Sequence, residues 1–183
     1  MITHWNLLVR KIAFLLFFFL LLTIQLFAQL GRIKPGSHIA SESDISAIRQ
    51  IYQNINSLNL TKQRFTYESS GCAEDGVVTY FFDNKTIVKV TESGSIGDGS
   101  WVNEYYYKAG KIIFCFENIV GGPAIGKVTK TQYRYYIKDN HPIRVMEGTK
   151  IVPADSKATE MVETANKIYK AYTTKDFVSA LCN

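Results

Sequence analysis

The pattern YFFDNKTIVKVTE, at residues 80–92, returns twice further along the chain, as YYYKAGKIIFCFE at 105–117 and YYIKDNHPIRVME at 135–147. Each copy has an aromatic run, a short polar turn and a second apolar run that closes on a glutamate. Two β-prone runs separated by a few turn-forming residues are typical of a β-hairpin. Three copies at short intervals predict consecutive hairpins side by side, which form an antiparallel β-meander of about six strands.

An amphipathic helix is predicted on each side of the hairpins. Apolar residues recur at spacings of three and four over residues 45–58 and again over residues 161–172. The candidate capping residues are Ser41 or Ser43 for the first helix and Asp155 or Ser156 for the second. Residues 61–69 have the β-branched and aromatic content of one further strand. The predicted fold class is therefore α+β, with an N-terminal helix, the meander and a C-terminal helix.

The first 28 residues have the layout of a secretory signal peptide. Two basic residues precede an almost unbroken apolar run at residues 12–22, and Ala28 ends an acceptable cleavage site before Gln29. The apolar run is shorter than the ~20 residues that a membrane-spanning helix needs, which leaves an uncleaved anchor as the second interpretation. We expect an exported protein, periplasmic or secreted, with no membrane span after cleavage.

The remainder of the chain has the size of one domain. Residues 29–40 contain Pro35 and two glycines without periodicity, which predicts a mobile arm, and residues 41–183 form the predicted single α+β domain. The net charge of +5 falls to +3 without residues 1–28, which hold two basic and no acidic residues. Lysine and arginine are scattered among aspartate and glutamate, so the basic pI does not indicate a nucleic-acid partner.

The three cysteines, Cys72, Cys115 and Cys182, all follow the predicted signal peptide. Export to an oxidising compartment permits one bridge among them. Cys115 lies among large apolar neighbours, where a free cysteine behaves as a small buried hydrophobe. We expect a Cys72–Cys182 disulfide that holds the chain terminus, and the other two pairings remain open. The spacings lack a CxxC pair and only His38 and His141 could assist, so no metal site is predicted.

No catalytic residue or cofactor motif can be recognised. The glycines of SGSIGDGS, at residues 93–100, precede a strand, whereas a phosphate-binding loop precedes a helix. His38 lies in the arm and His141 at a hairpin tip, where neither is placed as the base of a hydrolase triad. The repeat glutamates could serve as paired carboxylates for glycoside cleavage, but their periodicity is more typical of solvated strand ends. These glutamates are Glu92, Glu117 and Glu147.

The end of the sheet between successive hairpins is the predicted binding region. Two Gly-bearing segments, at residues 93–100 and 118–127, are expected there as long loops, which are disproportionately functional in compact domains. The first contains Asp98 and leads into Trp101, and Lys127 closes the second. Tryptophan is often a binding anchor, although a core tryptophan that pins the loop is the other interpretation of Trp101.

The chain contains 11 tyrosines, all after the predicted signal peptide. Tyrosine suits a half-buried pleated surface, and an exposed aromatic face also accepts ligands. We predict an exported, non-catalytic binding protein whose partner is a protein, a glycan or a small apolar ligand. An inhibitor of a secreted enzyme and a hydrolase with an unrecognised site are the alternatives. Export argues against stacking on single-stranded nucleic acid.

Overall fold

The computed structural model describes residues 41–122 and 125–182, so the predicted signal peptide and arm lie outside the described residues. The elements are α1 (Glu42–Ser57), β1 (Thr61–Ser69), β2 (Ala73–Asp83), β3 (Thr86–Ile96), β4 (Gly99–Lys108), β5 (Lys111–Gly121), β6 (Thr129–Lys138), β7 (His141–Glu147), β8 (Lys150–Val152), α2 (Ser156–Thr174) and α3 (Phe177–Leu181). The strands form one sheet in sequence order, and every neighbouring pair is antiparallel. The predicted α+β meander is confirmed, with eight strands instead of about six.

Local sequence signals start the two long helices. The Ser41 side chain accepts a hydrogen bond from the Asp44 amide at 3.1 Å, and Asp155 accepts one from the Ala158 amide at 3.2 Å. Each cap satisfies an amide that the first helical turn leaves without a partner. In the part of the chain that the structure describes, no helix is both long enough and apolar enough to cross a membrane.

The hairpin repeat corresponds to a single row of side chains across the sheet. The first tyrosines of the three copies lie in this row, because paired residues continue from strand to strand as Tyr80, Val90, Tyr105, Cys115, Tyr135 and Val145. Every member of the row is buried. Side chains alternate between the faces of a strand, so the whole row points to one face, where it packs against α2.

The two long helices cover opposite faces of the sheet. Ile168 of α2 is buried in the core that contains Tyr105, whereas Ile45 and Ile48 of α1 pack with Tyr106 on the other face. We call these the α2 face and the α1 face. Strand β5 is apolar on both of its sides and therefore needs a cover on each face. Its position between the helices meets that need.

Hydroxyl groups fix α2 to the sheet. Tyr80 Oη donates to the carbonyl of Ile168 at 2.6 Å, and Tyr107 Oη donates to the carbonyl of Ala165 at 2.7 Å. At the end of the chain, a disulfide joins Cys72, in the turn between β1 and β2, to Cys182, which follows α3. Cys115 is free and buried within the sheet.

The expectation of a long loop at residues 93–100 is wrong. Strand β3 continues to Ile96 and β4 begins at Gly99, so Gly97 and Asp98 alone form a tight turn. Gly97 has a φ of 53°, which glycine adopts without steric cost. Gly94 lies against the Trp101 ring, where an added Cβ would come within 2.6 Å of a ring carbon. The glycines thus serve a hairpin turn and close packing.

Candidate functional site

The residues predicted to bind a partner lie at the same end of the sheet, but they do not form one cluster. Asp98 is exposed in the turn before β4, and Lys127 is exposed in the connection between β5 and β6. Trp101 is half-buried on the α2 face. Within residues 41–122 and 125–182, no hydrogen bond or ion pair links these three side chains.

Trp101 instead belongs to a network around a buried carboxylate. Glu92 is only 2% exposed, and its oxygens accept three hydrogen bonds. The donors are Tyr67 Oη at 2.7 Å, Trp101 Nε1 at 2.6 Å and Asn103 Nδ2 at 2.9 Å. Burial raises the pKa of Glu92, the three hydrogen bonds act in the opposite direction, and the charge of Glu117 adds to the rise.

A second carboxylate lies two strands away in the same row. Glu92 pairs across the strands with Asn103, which pairs with Glu117. Glu117 is 7% exposed, accepts a hydrogen bond from Tyr135 Oη at 2.8 Å and forms an ion pair with Lys157 Nζ at 2.8 Å. The expectation of solvated strand ends is therefore wrong for these two glutamates, because Glu92 is buried beside Trp101 and Glu117 is buried beside Lys157 in the first turn of α2. Glu147, which ends β7 near the edge of the sheet, is exposed.

Both carboxylates are held by hydrogen bonds or an ion pair within the protein. Both oxygens of Glu92 already accept hydrogen bonds, and the residue is buried. Two polar atoms beside it, Tyr105 Oη and Asn103 Oδ1, are buried without a hydrogen-bond partner from the protein. Among the described residues, no group of three or more His, Cys, Asp or Glu side chains could hold a metal ion.

A cavity of about 350 Å³ opens on the α1 face, and we call it the α1 cavity. Contacts at the two ends of α1, from Glu42 with Arg144 of β7 to Asn56 with Lys89 of β3, show that the helix crosses the strands. On the α1 face, the row of side chains that comes next along the strands, toward the inter-hairpin end of the sheet, lies beside α1. The cavity is lined by Arg49, Tyr52, Gln53, Glu104, Phe114, Phe116, Gln132, Arg134 and Tyr136.

Two arginines in this cavity are each close to an aromatic ring. The Arg49 guanidinium is 5.5 Å from the centre of the Tyr136 ring, and its Nε donates to the Tyr136 hydroxyl at 3.2 Å. The Arg134 guanidinium is 5.7 Å from the centre of the Phe116 ring, and its Nη1 donates to the carbonyl of Gly148 at 2.7 Å. A guanidinium near a ring is attracted to its π system, and the hydrogen bond that each arginine donates further restricts its position.

The carboxylate in the cavity wall is already neutralised. Glu104 forms an ion pair with Lys89 at 2.7 Å and accepts a hydrogen bond from the Tyr106 hydroxyl. Burial, and then this hydrogen bond, raise the pKa of Tyr106, which keeps its hydroxyl protonated. Neither Arg49 nor Arg134 forms an ion pair within 4.0 Å among the described residues. The cavity therefore carries an excess of positive charge.

The sequence did not identify the α1 cavity. In β6 the alternation of Gln132 and Arg134 with Tyr133 and Tyr135 indicates one buried face and one solvated face. The side of Gln132 and Arg134 becomes a cavity wall only because α1 lies next to it. On α1, Tyr52 and Gln53 follow Arg49 by three and four positions, which is one helical turn. That spacing was the available sequence signal that these residues share a face.

Comparison with models of protein families, with curated proteins and with solved structures finds no match to this chain. The function must therefore be inferred from the chemistry and geometry of the described residues.

Proposed function

We propose that this protein is an exported, non-catalytic binding protein that holds a small ligand in the α1 cavity. The observation that carries the proposal is the cavity itself, whose volume of about 350 Å³ lies within the range of small-molecule sites. Its lining combines aromatic rings of β5 and β6 with polar side chains of α1, β4 and β6. A ligand site commonly combines such an apolar surface with a few convergent polar groups.

The groups around the α1 cavity favour binding over catalysis. Arginine remains protonated in proteins, so Arg49 and Arg134 are poor candidates for proton transfer. Glu104 is held by Lys89 and Tyr106, which occupy the carboxylate that would otherwise act as a general base. What remains are donors and rings that can orient a bound molecule.

Export is part of the same proposal and is supported by two observations. The first 28 residues have the signal-peptide layout, and the disulfide between Cys72 and Cys182 is of a kind that persists in oxidising compartments. Mass spectrometry of the protein recovered from its native compartment should find the N-terminus at or near Gln29. Recovery of a membrane-bound chain that retains Met1 would overturn this part of the proposal.

Two fluorescent probes test binding in the α1 cavity. N-phenyl-1-naphthylamine is neutral, and 8-anilinonaphthalene-1-sulfonate adds a sulfonate to the same aromatic body. We expect saturable binding of at least one probe to the folded protein at a single site. Gln53→Trp places a large side chain at the cavity wall and should abolish that binding. Gln50→Trp makes the same change at an exposed position of α1 outside the cavity and should leave it intact.

The outcome depends on the comparison between the two tryptophan variants. If neither probe binds saturably, or if both variants bind as the wild type does, the α1 cavity is not a binding site. Thermal unfolding of each variant establishes that it is folded. The result that supports the proposal is loss of binding in Gln53→Trp alone, at unchanged stability.

A further inference from the structure

The α1 cavity has chemical features that select a class of ligand. Arg49 and Arg134 enter the cavity from different elements, one from α1 and the other from β6. Arg49 donates one hydrogen bond, to Tyr136, and Arg134 donates one, to Gly148. A guanidinium has five N–H donors, so most donors of each arginine remain for a ligand. A nearby ring and one hydrogen bond within the protein restrict the position of each guanidinium.

We infer that the ligand of the α1 cavity is an anion with a flat apolar body, of which an aromatic carboxylate is the simplest form. This inference rests on the proposed binding function. Arg49 acts electrostatically on the exposed Glu42, but among the described residues neither Arg49 nor Arg134 forms an ion pair within 4.0 Å, which leaves a positive charge that an anionic group of the ligand would balance. Arginine forms paired, parallel hydrogen bonds with a carboxylate, which gives both affinity and orientation.

The remainder of the cavity accounts for the flat apolar body. Tyr52 is 36% exposed on α1, and Phe116 is half-buried on the sheet, so both offer ring surface to a ligand. Tyr136 and Phe114 are almost fully buried and complete the floor. A planar ligand can stack on such rings, and a guanidinium can in turn stack on a planar ligand. A strongly hydrated anion without an apolar body would leave this surface unused.

The paired probes measure the contribution of the charge. We expect the sulfonate probe to bind about tenfold or more tightly than the neutral probe, since hydrogen bonds to charged groups are among the stronger ones. Higher salt should weaken the binding of the sulfonate probe and have little effect on the binding of the neutral probe. In competition, naphthalene-2-carboxylate should displace a bound probe at a concentration about tenfold lower than naphthalene-2-carboxamide does.

Arginine variants assign the effect to the cavity. Arg49→Met and Arg134→Met should each reduce the preference for the sulfonate probe, and Arg134→Lys should restore part of it because the charge remains. Arg64→Met is the matched control, since Arg64 is exposed on β1 outside the cavity, and it should retain the full preference. Affinity for the neutral probe shows whether a variant still has the binding site.

The outcomes separate this inference from the proposed function. Binding of the neutral probe as tightly as the sulfonate probe, with equal competition by the carboxamide and the carboxylate, would overturn the anion inference and leave the binding function standing. Failure of both probes would overturn both proposals. An equal loss of preference in Arg64→Met and in the cavity variants would assign the effect to overall charge and would also overturn the inference.

Discussion

Replacing a tyrosine on the α2 face by phenylalanine should have opposite effects on stability at different positions, because the hydroxyls of three such tyrosines have different surroundings. Tyr80 and Tyr107 each donate a hydrogen bond to a carbonyl of α2, whereas the buried hydroxyl of Tyr105 has no partner from the protein. Burial raises the pKa of Tyr105, so its hydroxyl stays protonated. Replacement by phenylalanine removes only the hydroxyl and keeps the ring.

The magnitudes follow from these contacts. A typical intramolecular hydrogen bond contributes about 0.5–1.5 kcal/mol net, which is the loss expected for Tyr80→Phe and for Tyr107→Phe. A buried polar group without a partner costs roughly 1–3 kcal/mol. Tyr105→Phe should therefore be neutral or should stabilise the protein. The free energy of unfolding should separate Tyr105→Phe from the other two variants by about 1 kcal/mol or more.

Urea titration of the wild type and the three variants measures these differences directly. The dependence of the free energy of unfolding on urea should be unchanged, because a hydroxyl alters the exposed surface very little. A difference of 1 kcal/mol corresponds to a change in Tm of about 2–4 °C in a protein of this size. Equal destabilisation of Tyr105→Phe and Tyr80→Phe would show that the Tyr105 hydroxyl has a partner, such as a buried water, and would refute the prediction.

Three further predictions concern Glu92, Ile168 and Trp101. Burial raises the pKa of Glu92 above 4.5, so the stability it contributes is full below that pH and is lost as the pH rises through the raised pKa. The stability of Glu92→Gln relative to the wild type should therefore increase with pH across that window in urea titrations, and a constant difference would contradict the shift. Ile168 is 0% exposed, so Ile168→Asp should cost several kcal/mol, whereas a change within ~0.5 kcal/mol would show that α2 is not packed there. Trp101→Ala should cost about 3 kcal/mol, since the ring packs on Gly94 and donates to Glu92, and unchanged stability with loss of partner binding would instead assign Trp101 to a binding surface.

Local signals account for the part of the fold that the sequence predicted. The tips of the three hairpins are short turns in which Asn84, Ala109, Gly110, Asp139 and Asn140 have positive φ angles, and most of these residue types tolerate that conformation. The apolar spacing of the two long helices and their capping residues act within a few positions along the chain. Such interactions do not depend on distant segments, so the sequence determined the helices, the hairpins and their order.

Tertiary contacts decided what the repeat could not show. Glu92 and Glu147 occupy the same place in the repeat, but the first is buried beside Trp101 and the second is exposed near the sheet edge. In the same way, Arg134 lines a cavity only because α1, which contributes Arg49 to the same lining, packs on this face of the sheet. Burial and charge balance depend on which element covers a strand. The pattern within a strand specifies its two faces, and the packing of the helices specifies which side chains on each face remain open to a ligand.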